Sequence, residues 1–508
     1  MESLAEQTWD VILHGTGLQQ SLLALALSRS GKQILHLDPN EYYGGPEAAF
    51  GLQEIEEWAA AHADADGPGP ARPFSSATVT KPEVAAGSGP SLSFPRAYSL
   101  ALAPQIIHTR SELVKQLVSS RAFRQIEFLA VGSFFIYTPP SGASEDARAS
   151  VVPIPSSREA VFSTTAISAK AKRSLMKFLK FVLDYNSEEQ RGTWTPHADK
   201  PLSEFLASDF MLDAALQTYI VTLTLSLDGG VSTKDGLAAI HRHLSSMGAF
   251  GPGFAAVYPK WGGLSEIAQV GCRACAVGGA VYMLGTGVKA TRPLDAQEDG
   301  ARFELDLTSG VTMKSRTLVR GAQDVAPGSQ RVSRTIAVVN SPLSSLFETR
   351  VEGAPTPAVA VVAIPAGSID DVAFPYPIYA FAHSSETGEC PSGQSVLYLV
   401  APKTADSAEA LEKALASLLS ALGEGDGRPQ VIYRVAYEQA RAASSSAGAD
   451  ASDVLPGLPL DLAFSDAALE PVREAWTKLA GPGADDPDTQ YMKFEDREGV
   501  DDEDDVYE

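Results

Sequence analysis

Trp9-Asp-Val-Ile-Leu-His14, Gly15-Thr-Gly17, Leu18-Gln-Gln-Ser-Leu-Leu-Ala-Leu-Ala-Leu-Ser-Arg-Ser30 and Gly31-Lys-Gln-Ile-Leu-His-Leu-Asp38 form the stretch whose reading decides the fold. Asp10 to His14 is a short apolar run, which predicts a buried strand. Gly15-Thr-Gly17 predicts a tight turn. Leu22, Leu23, Ala26 and Leu27 share one face at helical spacing, so Leu18 to Ser30 reads as a helix that Gly31 ends. Gln33 to Leu37 is a second strand, closing on Asp38. Strand, glycine turn, helix, strand and acid in that order are the start of a Rossmann-type unit in an α/β chain.

The chemistry of that motif is degraded. The third glycine of G-x-G-x-x-G, which allows close packing beside a pyrophosphate, is Gln20 here. A flavoenzyme of this build needs a late Gly-Asp at a strand end. Gly425-Asp426, the one late Gly-Asp of that kind, lies in a polar loop after a helix. The expectation is a retained fold with no cofactor, Gly15, Gly17 and Asp38 being vestigial. An FAD-dependent oxidoreductase is the rival reading. The chain contains no G-x-x-x-x-G-K-[ST], H-E-x-x-H or G-x-S-x-G, so those routes to phosphate, metal or nucleophilic chemistry are closed.

Length and composition fit this picture. The 508 residues predict two domains plus linkers. With 44 % hydrophobic and 20 % charged residues the composition is globular. Apolar runs are too short to span a bilayer, and Met1 to Trp9 lacks the features of a signal peptide, which predicts a cytoplasmic protein. Three cysteines argue against a disulfide framework. Cys272 and Cys275, a lone C-x-x-C, lack further ligands for zinc and read as small buried helix residues. His241 and His243, two apart on a predicted helix, point to different faces and make no metal pair. A net charge of −23 argues against nucleic acid and against passive adhesion to anionic membranes. Nine acids and one arginine lie between Glu495 and Glu508, and residues 481–508 read as an acidic, disordered tail.

Along the chain, Ala63 to Pro95 is rich in Pro, Gly, Ala and Ser and predicts a flexible insertion in the first part of a larger domain, residues 1–155. Thr109-Arg-Ser-Glu112 has capping-box spacing before a short helix. Phe128 to Pro153 reads as strands about a turn. Residues 156–247 are helical: Ser156-Ser-Arg-Glu159 and Ser232-Thr-Lys-Asp235 are helix starts. Leu175, Met176, Leu179, Val182 and Leu183 form a helical stripe, and Leu202 to Leu227 is long and apolar. Residues 248–480 resume the α/β domain, with strands at Gly279–Leu284, Phe303–Leu307, Thr335–Val339 and Val396–Val400 and a helix at Ala408–Leu422.

Three segments carry function. Leu35-His-Leu-Asp-Pro-Asn-Glu-Tyr-Tyr-Gly-Gly45 places two tyrosines on a loop, a residue type suited to interfaces; a pair packed beneath its own loop is the other reading. Tyr258-Pro-Lys-Trp-Gly-Gly-Leu-Ser-Glu-Ile-Ala-Gln-Val-Gly-Cys-Arg273 puts Glu266, Gln269 and Arg273 on one helix face, beside an apolar stripe of Ile267, Val270, Ala274 and Val277. On pattern alone that charged stripe is also what a solvated face looks like. Arg96 to Ser111 and Ser119 to Phe128 make an arginine-punctuated stretch.

Together these segments resemble the Rab escort proteins and their relatives, the Rab GDP-dissociation inhibitors, over Asp10 to about Leu479. The resemblance implies a flavoprotein-like (FAD/NAD(P)-binding Rossmann-type) larger domain without flavin, with a smaller helical domain inserted. It implies Rab GTPases as partners, gripped by a platform whose matching positions here are Tyr43, Glu266, Arg273 and Met283. One residue more than the family usually has separates Tyr258-Pro259 from Glu266. Phe162 and Arg173 match the positions by which escort proteins contact Rab geranylgeranyltransferase, and dissociation inhibitors usually lack the Phe. The two residues lie on similar faces if one helix runs through both. Tyr491 to Gly499 is similar to fungal escort proteins. The implied role is non-catalytic: presenting GDP-bound Rab to the transferase and carrying the geranylgeranylated product in transient contact with membranes. The zinc and the prenyl chemistry belong to the transferase. A dissociation inhibitor that only recycles prenylated Rab is the near alternative. The apolar helices, Phe210 to Leu227 above all, are the candidate isoprenoid groove, although simple mutual packing accounts for them equally.

Overall fold

The computed structural model of the protein describes residues 2–64, 72–83, 89–140, 148–155, 168–295, 300–369, 373–423, 428–443, 453–480 and 491–495. The opening βαβ unit is present. Strand Thr8–His14 pairs in parallel with Ile34–Leu37, Val11 opposite Ile34 and His14 opposite Leu37. Val281–Met283 adds in parallel outside it, Met283 opposite Leu37. On its other side lies Thr312–Gly321, also parallel, followed by the antiparallel strands Phe303–Leu307 and Val288–Pro293. Asp453–Leu455 completes this seven-stranded sheet.

Helix Leu18–Leu27 is buried at all ten residues, which exceeds the single apolar face expected of it. A helix apolar all round is one enclosed on all sides. It packs against helices Leu264–Val277 and Glu470–Ala480 as well as the sheet. Glycine makes the first of these contacts possible. A Cβ on Gly271 would lie 2.5 Å from the Ser21 carbonyl oxygen, and one on Gly278 would collide with that of Ser28. Both pairs are seven residues apart, so the two backbones touch along one line.

A second sheet has ten strands, mostly antiparallel, in its main path Phe74–Thr80, Val431–Ala440, Arg331–Val339, Ser395–Pro402, Ile378–Ser384, Val359–Ile364, Phe128–Thr138, Ala256–Pro259 and Ile107–His108. Its central strands are buried on both faces, which is why they read as continuous apolar runs. Helix Ser407–Ala421 covers one face through Leu411, Leu415 and Leu418.

The helices between Ala169 and Ser246 have a core of their own, including Phe178, Phe205, Leu206, Leu216, Leu237 and Ile240. Ser232 caps helix Thr233–Ser246 by accepting from Asp235 N–H. His243 packs against Phe134 and His108 while His241 meets Tyr185, the divergence that their spacing requires. Among the described residues, no helix is long and apolar enough to cross a membrane.

Several expectations need correction. Residues 63–95 are not one insertion: Phe74–Thr80 is an edge strand paired with Val431–Ala440, its Phe74 and Ala77 facing the core. Ser111, not Thr109, caps helix Glu112–Ser119; Thr109 donates to the Ser246 carbonyl instead. Leu183 is exposed rather than part of its helix's buried stripe. Leu202 to Leu227 is two helices, Leu202–Phe210 and Ala214–Leu223, parted where Met211 adopts φ 52° and Asp213 starts the next helix as its cap. Its apolar side chains turn inward, Leu216 and Ile220 into the helical core and Leu223, Leu225 and Leu227 into that of the second sheet. A cavity of about 490 Å³ lies beside the end of this segment, lined in part by Leu225, Leu227 and Val231. The tail reading fails for residues 491–495: Tyr491 stacks edge-on against Trp476, Met492 is fully buried, and Arg29 sits 4.6 Å over the Phe494 ring.

Candidate functional site

The glycine turn is filled by the protein itself. Asp38, at the end of the second strand, accepts at Oδ2 from the N–H and Oγ1 of Thr16, both at 2.7 Å. Its Oδ1 accepts from the N–H and side-chain amide of Asn40 at 2.8 and 2.9 Å. Both carboxylate oxygens that a ribose would need are therefore engaged. The neighbouring His36 is buried and pushed down to about 4 by desolvation, so its neutral ring donates from Nε2 to the Gly15 carbonyl at 2.6 Å.

Helix Leu18–Leu27 has no side-chain cap of its own and no acid in its first turn. Its Leu18 N–H donates instead to Oε2 of Glu47 at 3.0 Å. Burial pushes the Glu47 carboxyl up to about 7. Gln20 lies across the turn, its amide between the Gly17 carbonyl at 3.2 Å and the Gly321 N–H at 3.0 Å, an arrangement that satisfies both with the amide nitrogen toward Gly17 and the oxygen toward Gly321. A cavity of about 280 Å³ beside the turn is lined in part by Gly15, Gly17, Asp38 and Glu47. A dinucleotide does not fit this arrangement. The helix N-terminus where a pyrophosphate binds already holds a carboxyl group, which repels phosphate once ionised, and Gln20 bridges the space the third glycine would leave.

On the outer side of the same unit lie three of the expected positions, Tyr43, Glu266 and Arg273, whereas the Met283 side chain packs with Leu35 and Leu37 on the other face of the sheet from Tyr282. The loop after the second strand turns through Gly44 (φ 96°) and Gly45 (φ 49°), and Gly44 N–H donates to the Thr16 carbonyl and to its Oγ1, both at 3.1 Å. Tyr43, half-buried there, lies 6.2 Å from the ring of Tyr282, the residue before Met283. Desolvation and the nearby Cys272, the residue before Arg273, raise the Tyr43 hydroxyl above its ordinary value. Met283 ends the edge strand, its carbonyl accepting from Asp38 N–H at 3.1 Å.

The helix that completes the face is Leu264–Val277. Its contact with helix Leu18–Leu27 buries Ile267, Val270, Cys272 and Cys275 and leaves Glu266 and Gln269 half-buried and Arg273 exposed. Burial raises the Glu266 carboxyl, and the Arg273 guanidinium partly offsets the shift. The apolar stripe expected of this helix is incomplete, since Val277 is 65 % exposed.

Just before this helix the chain carries a further exposed aromatic, Trp261. Trp261 is 53 % exposed and holds φ 71°, a conformation costly for a bulky residue. Its N–H donates to the Thr387 carbonyl at 2.9 Å, its carbonyl accepts from Ser99 Oγ at 2.9 Å, and its ring lies where a side chain on Gly388 would be. Beneath it, buried Glu389 accepts from Tyr258, Tyr398 and His383 at 2.7, 2.8 and 2.7 Å. The signal in the sequence is the pair Gly262-Gly263 following it: both take positive φ, and side chains there would strike Ala49 and Tyr258.

Arg173 lies apart from this face, exposed near the start of helix Ala169–Leu183, its Nε donating to the Ala169 carbonyl at 3.3 Å. Ser168 caps that helix, which begins at Ala169. Phe162 itself lies outside the described residues, as do Ser156 to Glu159 and Gly425-Asp426.

The sequence model of the family described as GDP dissociation inhibitor matches residues 5–352. The chain belongs to that family. Within it, the chain is 29 % identical over 404 residues to the Rab proteins geranylgeranyltransferase component A of Saccharomyces cerevisiae, an alignment covering 79 % of this chain and 62 % of the relative. It therefore spans about three-fifths of that relative's length. Among solved structures it resembles the Rab GDI of Plasmodium falciparum, at 20 % identity and TM-score 0.64, covering 93 % of this chain and 98 % of that one. It also resembles an oxidoreductase from Methanosarcina mazei, at 10 % identity and TM-score 0.57, covering 92 % and 100 %. The family's fold is thus shared with an enzyme, as the flavoprotein-like expectation required.

Proposed function

We propose that this member of the GDP dissociation inhibitor family is a Rab escort protein. It binds newly made, GDP-bound Rab, presents it to Rab geranylgeranyltransferase and carries the prenylated product to membranes, from the cytoplasm and without catalysis of its own. The observation that carries this reading is the approach of Tyr43 to the helix bearing Glu266 and Arg273 on one outer face, beside a glycine turn whose first helical N–H is already taken by Glu47. Tyr43 supplies rigid aromatic area and Glu266 and Arg273 supply charges of both signs, the composition of a specific protein-binding surface. The yeast relative's name favours the escort role over recycling alone, and Phe162 and Arg173 are assigned to the transferase contact.

The lipid sets an energy scale. At roughly 0.8 kcal/mol per buried CH₂, a twenty-carbon chain represents on the order of 10 kcal/mol. The candidate place for that chain remains the apolar stretch Phe210 to Leu227, whose end lines a cavity of about 490 Å³.

The test is a reconstituted prenylation reaction containing unprenylated Rab, geranylgeranyl diphosphate and the transferase. Transfer is expected to depend on this protein and to drop with Phe162→Ala. Transfer indifferent to the protein contradicts the escort role and leaves extraction of prenylated Rab from membranes, the recycling role, as the reading to examine.

A further inference from the structure

Glu47 is a buried acid that the docking face does not use directly. It is 7 % exposed and sits 29 residues from the N–H it accepts, that of Leu18. The loop carrying it is short and constrained. Gly45–Glu47 is a single 3₁₀ turn closed by Glu47 N–H to the Gly44 carbonyl at 2.9 Å, and a Cβ on Gly44 would come within 3.1 Å of Ala48 Cα. The loop is tied to the glycine turn at its two ends, by Gly44 N–H to Thr16 and by the Glu47 carboxyl to Leu18. Tyr43 lies immediately outside the first tie. The first N–H groups of a helix need partners, and in a dinucleotide-binding unit the ligand's phosphates provide them.

We propose that the Glu47 carboxyl is the protein's built-in substitute for a bound pyrophosphate, and that by capping helix Leu18–Leu27 it is the positioning residue that holds Tyr43 ready for its partner. The first half stands on the geometry of the turn. The second rests on the docking face proposed above. The cofactor socket and the partner loop are then one device: the group that closes the socket is the group that fixes the loop. Glu47 is not a contact residue in this account, since its side chain faces inward.

The decisive experiment compares the full-length parent with Glu47→Ala, Glu47→Asp and Glu47→Gln. Two readouts are used, amide hydrogen exchange at Leu18 and at 43–48, and binding of GDP-form, unprenylated Rab. Gln keeps an acceptor at the right reach, whereas Asp keeps the acid but is one methylene short. The expected result is exchange about tenfold faster at these amides in Ala and Asp, with Rab binding weakened about tenfold and both properties restored in Gln, a scale set by the loss of one helix cap. Millimolar inorganic pyrophosphate is expected to slow exchange at Leu18 in Glu47→Ala and to leave the parent unchanged. Should Glu47→Ala fail to fold, Asp against Gln makes the same comparison. Parent-like exchange in both Ala and Asp overturns the cap, and so does equal protection of the parent by pyrophosphate. Faster exchange with unaltered Rab affinity overturns the positioning role. A parent that binds no Rab removes the docking face itself and with it the positioning role, while the exchange result still decides the cap.

Discussion

The two sides of the opening βαβ unit are built from neighbouring residues and end in opposite states. On the inner side, Thr16, Gln20, His36, Asp38 and Glu47 bond to one another or to nearby backbone. On the outer side, Glu266, Gln269 and Arg273 remain half-buried or exposed. The same backbone contact, Gly271 on Ser21, sets the boundary between them. Buried polar groups are costly without partners, so a socket that has lost its ligand must be filled from within. A surface that meets a partner must keep its groups accessible. The contrast is the one the proposed role requires, a glycine turn occupied from within beside a face left accessible.

Breaking the boundary has the largest expected effect. Gly271→Val forces its Cβ and methyls against the Ser21 carbonyl and levers the two helices apart. Both sides fail together, with a loss of about 3 kcal/mol or more of stability, read from denaturant unfolding. The inner side is sharpened by pH. Burial lifts Glu47 from 4.5 to about 7 in the folded protein, so between those values the native state keeps a proton that the unfolded chain has released. The stability from this group is complete below pH 4.5 and is lost as pH rises through 7, a difference of roughly 3 kcal/mol. Glu47→Gln removes that slope and makes the variant more stable than the parent at pH 8, as a series of unfolding midpoints will show. The smallest effect belongs to a charge pair remote from both sides. Lys115 and Glu112, at 3.0 Å and both well exposed, form a surface pair, and Lys115→Ala is expected to change stability by less than about 0.5 kcal/mol.

The same contrast explains what the sequence revealed. The strand–turn–helix–strand order was legible because each element is local and its signal periodic. Glu266, Gln269 and Arg273 were legible as one face because three-, four- and seven-residue spacings fix a helix side, and the resemblance supplied its meaning. The inner side was only half legible. Gln20 announced a missing glycine, but nothing local to Glu47 says that its partner is Leu18. Phe74–Thr80 was missed because it is flanked by Pro- and Gly-rich sequence and pairs with a strand some 350 residues later. The break inside Leu202–Leu227 was hidden because Met211, an apolar residue, takes the left-handed conformation where a glycine would have marked the turn.

The measurement closest to the central claim is the affinity of GDP-form, unprenylated Rab for the parent, Tyr43→Ala and Arg273→Ala, taken with the unfolding midpoint of each. Both side chains reach the surface, and the one group that loses a partner is Glu266, half-buried beside Arg273. The account predicts binding weaker by about tenfold or more in each variant, with midpoints close to that of the parent. Parent-like affinity in both variants would contradict it and place the partner on another face of the molecule.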